Sequence, residues 1–248
     1  MKIAVIPARG GSKRIPRKNI KVFAGKPIIA WSIEAAKKSG CFDRIIVSTE
    51  DNEIAEVSKL YGAEVPFLRP QNLSGDHIET TPVIVHAIEW EQQQGRVITD
   101  VCCIYATAPF LRSEDLQKGL DILEHTDCNF AFSVTKYRFP IQRAIRITNE
   151  QRIEMFDKSQ FNKRSQDLEE AFHDAGQFYW GHAKTWLSGA PMFSSQAGPV
   201  YLPRHRVQDI DNLEDWEDAE RMFHSYNYKT KVHSSEWEGS HANWNLCK

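Results

Sequence analysis

Long apolar runs are missing from this 248-residue chain, and no stretch approaches the roughly 20 apolar residues that a membrane-crossing helix needs. A secretory signal is not expected either. After Lys2 the apolar run covers only residues 3–6, and Pro7 ends it before a signal core is complete. Cysteine is scarce: Cys41, Cys102, Cys103, Cys128 and Cys247 make an odd set with no C-x-x-C pair. That argues against a disulfide framework, predicts a reducing, cytoplasmic compartment, and leaves Cys102 and Cys103 as small buried hydrophobes. The nine histidines show neither H-x-x-x-H nor H-E-x-x-H spacing, so zinc is not expected. Charge of one sign is lacking too. With 31 basic and 33 acidic side chains the net charge is -2, which argues against a general nucleic-acid binder. No internal repeat is present.

The small net charge hides two opposite blocks. Residues 1–33 carry eight basic side chains and no acid, whereas residues 209–220 carry seven acids and no base. Between them, short apolar runs alternate with amphipathic stretches. Strands are predicted at residues 3–6, 44–48, 64–67, 101–105, 130–135 and 177–180 and near Val200. Helices are predicted at 27–39, 51–61, 81–94, from Ser113, and at about 213–225. Pro27 opens the first, Thr81 and Pro82 start the third, and Gly40 and Gly62 stop the first two. Continuous apolar strands separated by helices predict a doubly wound, mostly parallel α/β sheet. Residues 1–135 plus 172–230 form the expected α/β domain, 136–171 a polar insertion, and 231–248 a C-terminal tail.

Doubly wound sheets place ligands at the carboxyl ends of their strands. The loop after the first strand reads Pro7-Ala-Arg-Gly-Gly-Ser-Lys-Arg-Ile-Pro-Arg-Lys-Asn19. Gly10 and Gly11 free the backbone to turn its N–H groups toward a ligand, and Arg9, Lys13 and Lys18 add positive charge with no acid nearby. The spacing matches neither G-x-G-x-x-G nor G-x-x-x-x-G-K-[ST], so the dinucleotide fingerprint and the P-loop are both excluded. Polyphosphate binding remains, against a plain solvated basic loop. Late in the chain, Asp209 and Asp211 point to one side of an extended segment. They suit Mg²⁺; the competing reading is that Asp211 caps the following helix. His173-Asp174 is weak ground for a general base, since adjacent residues need not face one another. Strand alternation sets Phe178 and Trp180 on one face, Gln177 and Tyr179 on the other.

Arg9-x-x-x-Lys13 with Lys18-Asn19, followed late by Asp209-x-Asp211, resembles the cytidylyltransferase family that activates nine-carbon sialic acids. The likeness extends through CFDRIIVSTED at 41–51, FLRPQNLSGD at 67–76 and ATAPFLR at 106–112. Arg14-Ile-Pro-Arg17, Tyr105 in place of a sugar-contacting glutamine, and FHDAGQFYWG at 172–181 depart from the sialic acid pattern and resemble the branch that activates pseudaminic acid. The resemblance implies a Rossmann-like nucleotidyltransferase fold and the reaction of CTP with the sugar to give CMP-sugar and pyrophosphate. It implies catalytic roles for Arg9, Lys13, Lys18 and Asp211, and nucleotide contacts from Ala8, Arg9, Gly10, Lys13, Asn19, Arg69, Ser74 and Thr80. Lys18, Tyr105, Gln177 and Tyr179 would face the sugar, Arg143 and Arg164 being equally well read as surface, and Asp209 and Asp211 would hold Mg²⁺. It also implies a homodimer formed through 136–171 and a product used in surface polysaccharide or flagellin glycosylation. Alternatives in the same class are activation of N-acetylneuraminate, legionaminate or Kdo; one from another class is a non-catalytic nucleotide-binding regulator.

Overall fold

A computed structural model describes residues 1–238, with side chains through residue 225. The chain runs β1 (Lys2–Pro7), β2 (Val22–Phe23), β3 (Lys26–Pro27), α1 (Ile28–Ser39), β4 (Arg44–Ser48), α2 (Asn52–Leu60), α3 (Thr80–Gln93), β5 (Asp100–Ile104), α4 (Ser113–His125) and β6 (Phe130–Lys136). It continues through β7 (Ile145–Ile147), β8 (Ile153–Met155), β9 (Phe172–His182), α5 (Ala183–Ser188), β10 (Ala197–Tyr201) and α6 (Leu213–Glu238). Six strands form the central sheet in the order β10-β6-β9-β5-β1-β4. β9 runs antiparallel to both of its neighbours, while the other pairings are parallel.

Strand alternation sorts the core into two layers. Ala4 and Ile6 of β1, Cys102 and Ile104 of β5, and Phe178 and Trp180 of β9 pack under α1, α2 and α4. Ile3, Val5, Val101, Cys103 and Tyr179 face α3 and α5. This is the doubly wound arrangement, and the alternation expected for residues 178–180 holds. All three aromatics are buried. Burial drives the Cys102 and Cys103 thiols well above their ordinary pKa, so neither is a ready nucleophile. A third cluster joins Ile15, Phe23, Ile28 and Phe110 to Trp216 and Ala219 of α6, fastening the middle of the first loop and the start of the last helix to one another.

Several boundaries differ from the expected ones. Residues 64–67 form no strand; a single bridge joins Ile46 to Glu64. Pro27 is the N-cap of α1 rather than its first residue, and α3 starts at Thr80 with Glu79 as its N-cap. α6 continues to Glu238, through the first part of the expected tail, while residues 239–248, including Trp244 and Cys247, lie outside the described residues. No helix among the described residues is long and apolar enough to cross a membrane. The stretch between β6 and β9 carries the hairpin β7–β8 and three short turns.

Glycine permits the tightest helix–sheet contact. A Cβ on Gly119 of α4 would lie 2.6 Å from Trp180 and 2.9 Å from Phe178. Both rings are fully buried, so neither can swing aside. Gly119→Ala is expected to destabilise the fold by about 1–3 kcal/mol through overpacking, read as a lower urea midpoint at unchanged slope.

Candidate active site

A cleft of about 420 Å³ opens at the carboxyl ends of β1 and β5. Its walls come from the loop after β1, residues 69–80, the turn after β5, and Asp211 ahead of α6. Arg9, Lys13, Lys18, Asn19, Arg69, Ser74, Thr80, Tyr105 and Asp211 all line it. The two charge blocks at opposite ends of the sequence therefore meet in space.

Each cation near the cleft has a carboxylate partner. Arg9 Nη1 and Lys13 Nζ each lie 2.5 Å from an oxygen of Asp76. Arg14 holds Asp211 through two contacts of 2.9 Å. Arg17 grips Asp51, with one guanidinium contact at 2.9 Å, and also reaches Glu53 at 2.5 Å. Arg17 is in the left-handed region at φ 57°, and these ion pairs offset the backbone cost of that conformation. Lys18 Nζ donates to the Ile210 carbonyl at 2.7 Å and lies 3.9 Å from Asp211. Burial lowers its pKa, with Asp211 and Asp209 opposing the shift.

Asn19 is buried and donates Nδ2 to the Arg9 carbonyl at 2.9 Å, which fixes the backbone under the Arg9 side chain. Thr80 Oγ1 and Tyr105 Oη are 3.5 Å apart across the cleft wall. Ser74 donates to the Pro70 carbonyl at 2.9 Å and shapes the turn that presents Asp76.

Four expected residues stand differently. The N–H groups of Ala8 and Gly10 are not free for a ligand: Ala8 donates to the Ser48 carbonyl at 2.9 Å and Gly10 to Glu50 Oε1 at 2.7 Å. Gly10 is needed for another reason. A Cβ there would meet Asp51 Oδ2 at 2.6 Å, so the residue is glycine because the loop lies against the carboxyl end of β4. Gln177 and Tyr179 do not line the cleft; both are buried in the sheet. Gln177 donates Nε2 to the Arg206 carbonyl at 2.5 Å, and Tyr179 donates its hydroxyl to Asp174 Oδ2 at 2.5 Å. The Tyr179 ring packs behind Tyr105 with centroids 5.4 Å apart and planes tilted by 53°, so it reaches the cleft through that ring. Arg143 and Arg164 lie in the β6–β9 connection, bonded to the Lys163 carbonyl and to Asp167. His173 faces its own chain, with Nδ1 on the Asp174 carbonyl at 2.8 Å.

Asp211 does not cap α6. Asn212 Oδ1 accepts from the Asp215 N–H at 3.0 Å, while Asp215 Oδ2 accepts from the N–H groups of Asp211 and Asn212 at 2.9 and 3.0 Å. This reciprocal cap satisfies the helix start. The Asp211 carboxylate is released from that duty and turns to the cleft. Asp209 lies outside the cleft lining. Partial burial and the Asp211 charge push its carboxyl above the usual range, a repulsion that a bound cation relieves. Among the described residues no group of three or more His, Cys, Asp or Glu side chains is arranged to hold a metal ion. Two carboxylates alone suit a small hard cation that keeps water and phosphate oxygens as its remaining ligands.

Asp76, Glu50, Asp51 and Arg14 escape a reading of motifs. Asp76, Glu50 and Asp51 lie inside the family-like segments, but no spacing rule marks a residue whose partner lies in a distant segment of the chain.

Residues 3–214 match the family model described as cytidylyltransferase. The chain belongs to the cytidylyltransferase family. It is 45% identical over 221 residues to the pseudaminic acid cytidylyltransferase of Campylobacter jejuni subsp. jejuni serotype O:2, covering 89% of this chain and 95% of the relative. It is 32% identical to N-acylneuraminate cytidylyltransferase B of Danio rerio, covering 91% of this chain and 52% of that longer protein. Among solved structures it resembles CMP:2-keto-3-deoxy-manno-octonic acid synthetase complexed with CTP, at a TM-score of 0.65 and 16% identity. That match covers 91% of this chain and 99% of the other, and it is a likeness of fold. The fold is thus shared beyond recognisable sequence.

The Arg17–Asp51 pair makes the loop sensitive to acid. Arg17 holds the Asp51 carboxyl down at about 2 from its ordinary 3.8. A depressed carboxyl contributes stability above its unfolded pKa, and that contribution is lost as pH falls through the folded value. Asp51→Asn is expected to cost about 1 kcal/mol at pH 7, with the difference from wild type vanishing towards pH 2 in urea titrations.

Proposed function

We propose that this chain transfers the cytidylyl group of CTP to pseudaminic acid, giving CMP-pseudaminic acid and pyrophosphate. The observation that carries this reading is the convergence of Arg9, Lys13, Lys18 and Asp211 on one cleft, in a chain 45% identical to a pseudaminic acid cytidylyltransferase. A bond forms between the anomeric oxygen of the sugar and the α-phosphorus as the proton of that hydroxyl passes to solvent. The bond from that phosphorus to the bridging oxygen breaks, and pyrophosphate leaves with the electron pair. Such transfers depend on positioning and charge compensation rather than on a protein nucleophile.

Each side chain has a part in this reading. Arg9 and Lys13 exchange the Asp76 carboxylate for phosphate oxygens and stabilise the leaving pyrophosphate. Lys18 offers one charge between phosphates and sugar. Asn19 holds the Arg9 backbone, and Arg69, Ser74 and Thr80 wall the nucleotide. Tyr105 faces the sugar, with Tyr179 and Asp174 behind it. Asp209 and Asp211 would hold Mg²⁺, which supplies Lewis-acid stabilisation at the α-phosphate when bound. Asp211 exchanges Arg14 and Lys18 for that cation. We place the reaction in the cytoplasm, with the product destined for a surface glycan or flagellin.

We further propose that two copies pair through residues 136–171. Phe139, Ile153, Phe156 and Phe161 there are largely exposed, an apolar surface that a second copy would cover. Light scattering on a gel-filtration peak is expected to give the mass of a dimer at micromolar concentration; a monomer mass would overturn this pairing.

The substrate is tested by supplying CTP, Mg²⁺ and one sugar at a time and measuring pyrophosphate. Turnover is expected with pseudaminic acid and at least tenfold less with N-acetylneuraminate, legionaminate or Kdo, a preference of about 1.4 kcal/mol. Asp211→Ala serves as the inactive control. Preferred turnover of N-acetylneuraminate would replace the sugar assignment. CTP binding with no turnover of any of the four would leave the regulator reading.

A further inference from the structure

Glu50 follows β4, is half-buried, and does not line the cleft. Its two carboxylate oxygens are nevertheless committed to two separate walls of it. Oε1 accepts the Gly10 N–H at 2.7 Å, and Oε2 accepts from Arg69 Nη2 at 2.7 Å. Gly10 sits in the loop between Arg9 and Lys13, and Arg69 lines the same cleft from another segment. The Arg69 side chain is only 4% accessible, and its backbone N–H is bonded to the Thr49 carbonyl at 2.8 Å. Nε of Arg69 is buried with no partner, so the bond to Glu50 is a main restraint on where the guanidinium sits.

We infer that Glu50 is a positioning residue for nucleotide binding, acting through Gly10 and Arg69 without touching the nucleotide. The inference rests on the cytidylyl-transfer reading above. Two bonds from one carboxylate tie the glycine loop, which carries Arg9 and Lys13, to Arg69. The charge is required as well as the shape. A neutral amide can still accept from the Gly10 N–H, but it turns either an uncharged oxygen or a donor NH₂ toward a buried guanidinium. The pair is well shielded, and truncating one partner of a buried hydrogen-bonded charge pair leaves the other uncompensated. A loosened Arg69 must then be reordered by the incoming nucleotide, which weakens binding before chemistry begins.

The test is Glu50→Gln, which keeps size and shape and retains an acceptor for Gly10. Calorimetry with CTP in the absence of sugar reads binding without turnover, and steady-state kinetics separates KM for CTP from kcat. Glu50→Gln is expected to raise the Kd and the KM for CTP by roughly tenfold, with kcat and the sugar KM within about twofold of wild type. Arg69→Gln alone and Glu50→Gln/Arg69→Gln together are expected to bind CTP about equally, because the two act as one unit. A purely structural role would lower the thermal midpoint and the active fraction, hence kcat, and leave KM alone. The inference is overturned if Glu50→Gln binds CTP like wild type, or if the two substitutions multiply independently. In either case weakened CTP binding by Arg9→Ala would leave the cytidylyl-transfer reading standing. Failure of wild type to bind CTP at all would sink both.

Discussion

Charge neutralisation at the carboxyl ends of β1 and β4 is the constraint on which the rest of this structure depends. Arg9, Lys13, Arg14, Arg17 and Lys18 crowd into ten residues of chain, and each is met by an acid or a carbonyl delivered from a distant element. Asp76 comes from the segment before α3, Asp51 and Glu53 from the start of α2, and Asp211 from the approach to α6. Without those partners the loop would carry uncompensated positive charge against a sheet end, and extended, solvated conformations would compete with the ordered one. The same pairs keep the cations close to where a polyphosphate needs them. Carboxylates thus act as internal substitutes for ligand oxygens.

This arrangement divides the acids into two kinds. Asp51 is fixed: it caps α2 by accepting from the Ile54 N–H, abuts Gly10, and is clamped by Arg17. Glu50 is similarly committed on both oxygens. Asp76 and Asp211 are placed more loosely at the rim, and their partners Lys13 and Arg14 are 80% and 66% accessible. Exchange of partners costs little where water is already present, since exposed ion pairs contribute only about 0–1 kcal/mol. In the proposed reaction the rigid acids shape the slot, and the yielding ones vacate it.

Much of the fold was readable from residue patterns. Apolar runs marked β1, β4, β5 and β6 within a residue or two, because strands covered on both faces must be apolar on both. That same coverage concealed the reversal of β9: a strand buried on both sides looks alike in either direction. The 64–67 stretch has strand-like residues but only one bridge, since β4 is the sheet edge there and the chain departs at once. At the site, the basic loop and Asp211 were legible because charge and glycine cluster locally. Glu50 and Asp76 were not, because their meaning lies in partners 40 and 67 positions distant. The buried places of Gln177 and Tyr179 follow from the same reversed strand, whose inward face is filled by the sheet's own packing.

The reversal of β9 has one more effect. Lys136 ends β6 directly opposite Phe172, the first residue of β9, and the Tyr137 N–H bonds the Ala171 carbonyl. The chain between them therefore leaves and re-enters the sheet through a single closed neck, on the edge where the cleft opens. Loop-closure cost grows only with the logarithm of length, so residues could be added or removed beyond the neck without disturbing strand register. The protein carries, beside its chemistry, a segment free to change its outline while the sheet remains the same.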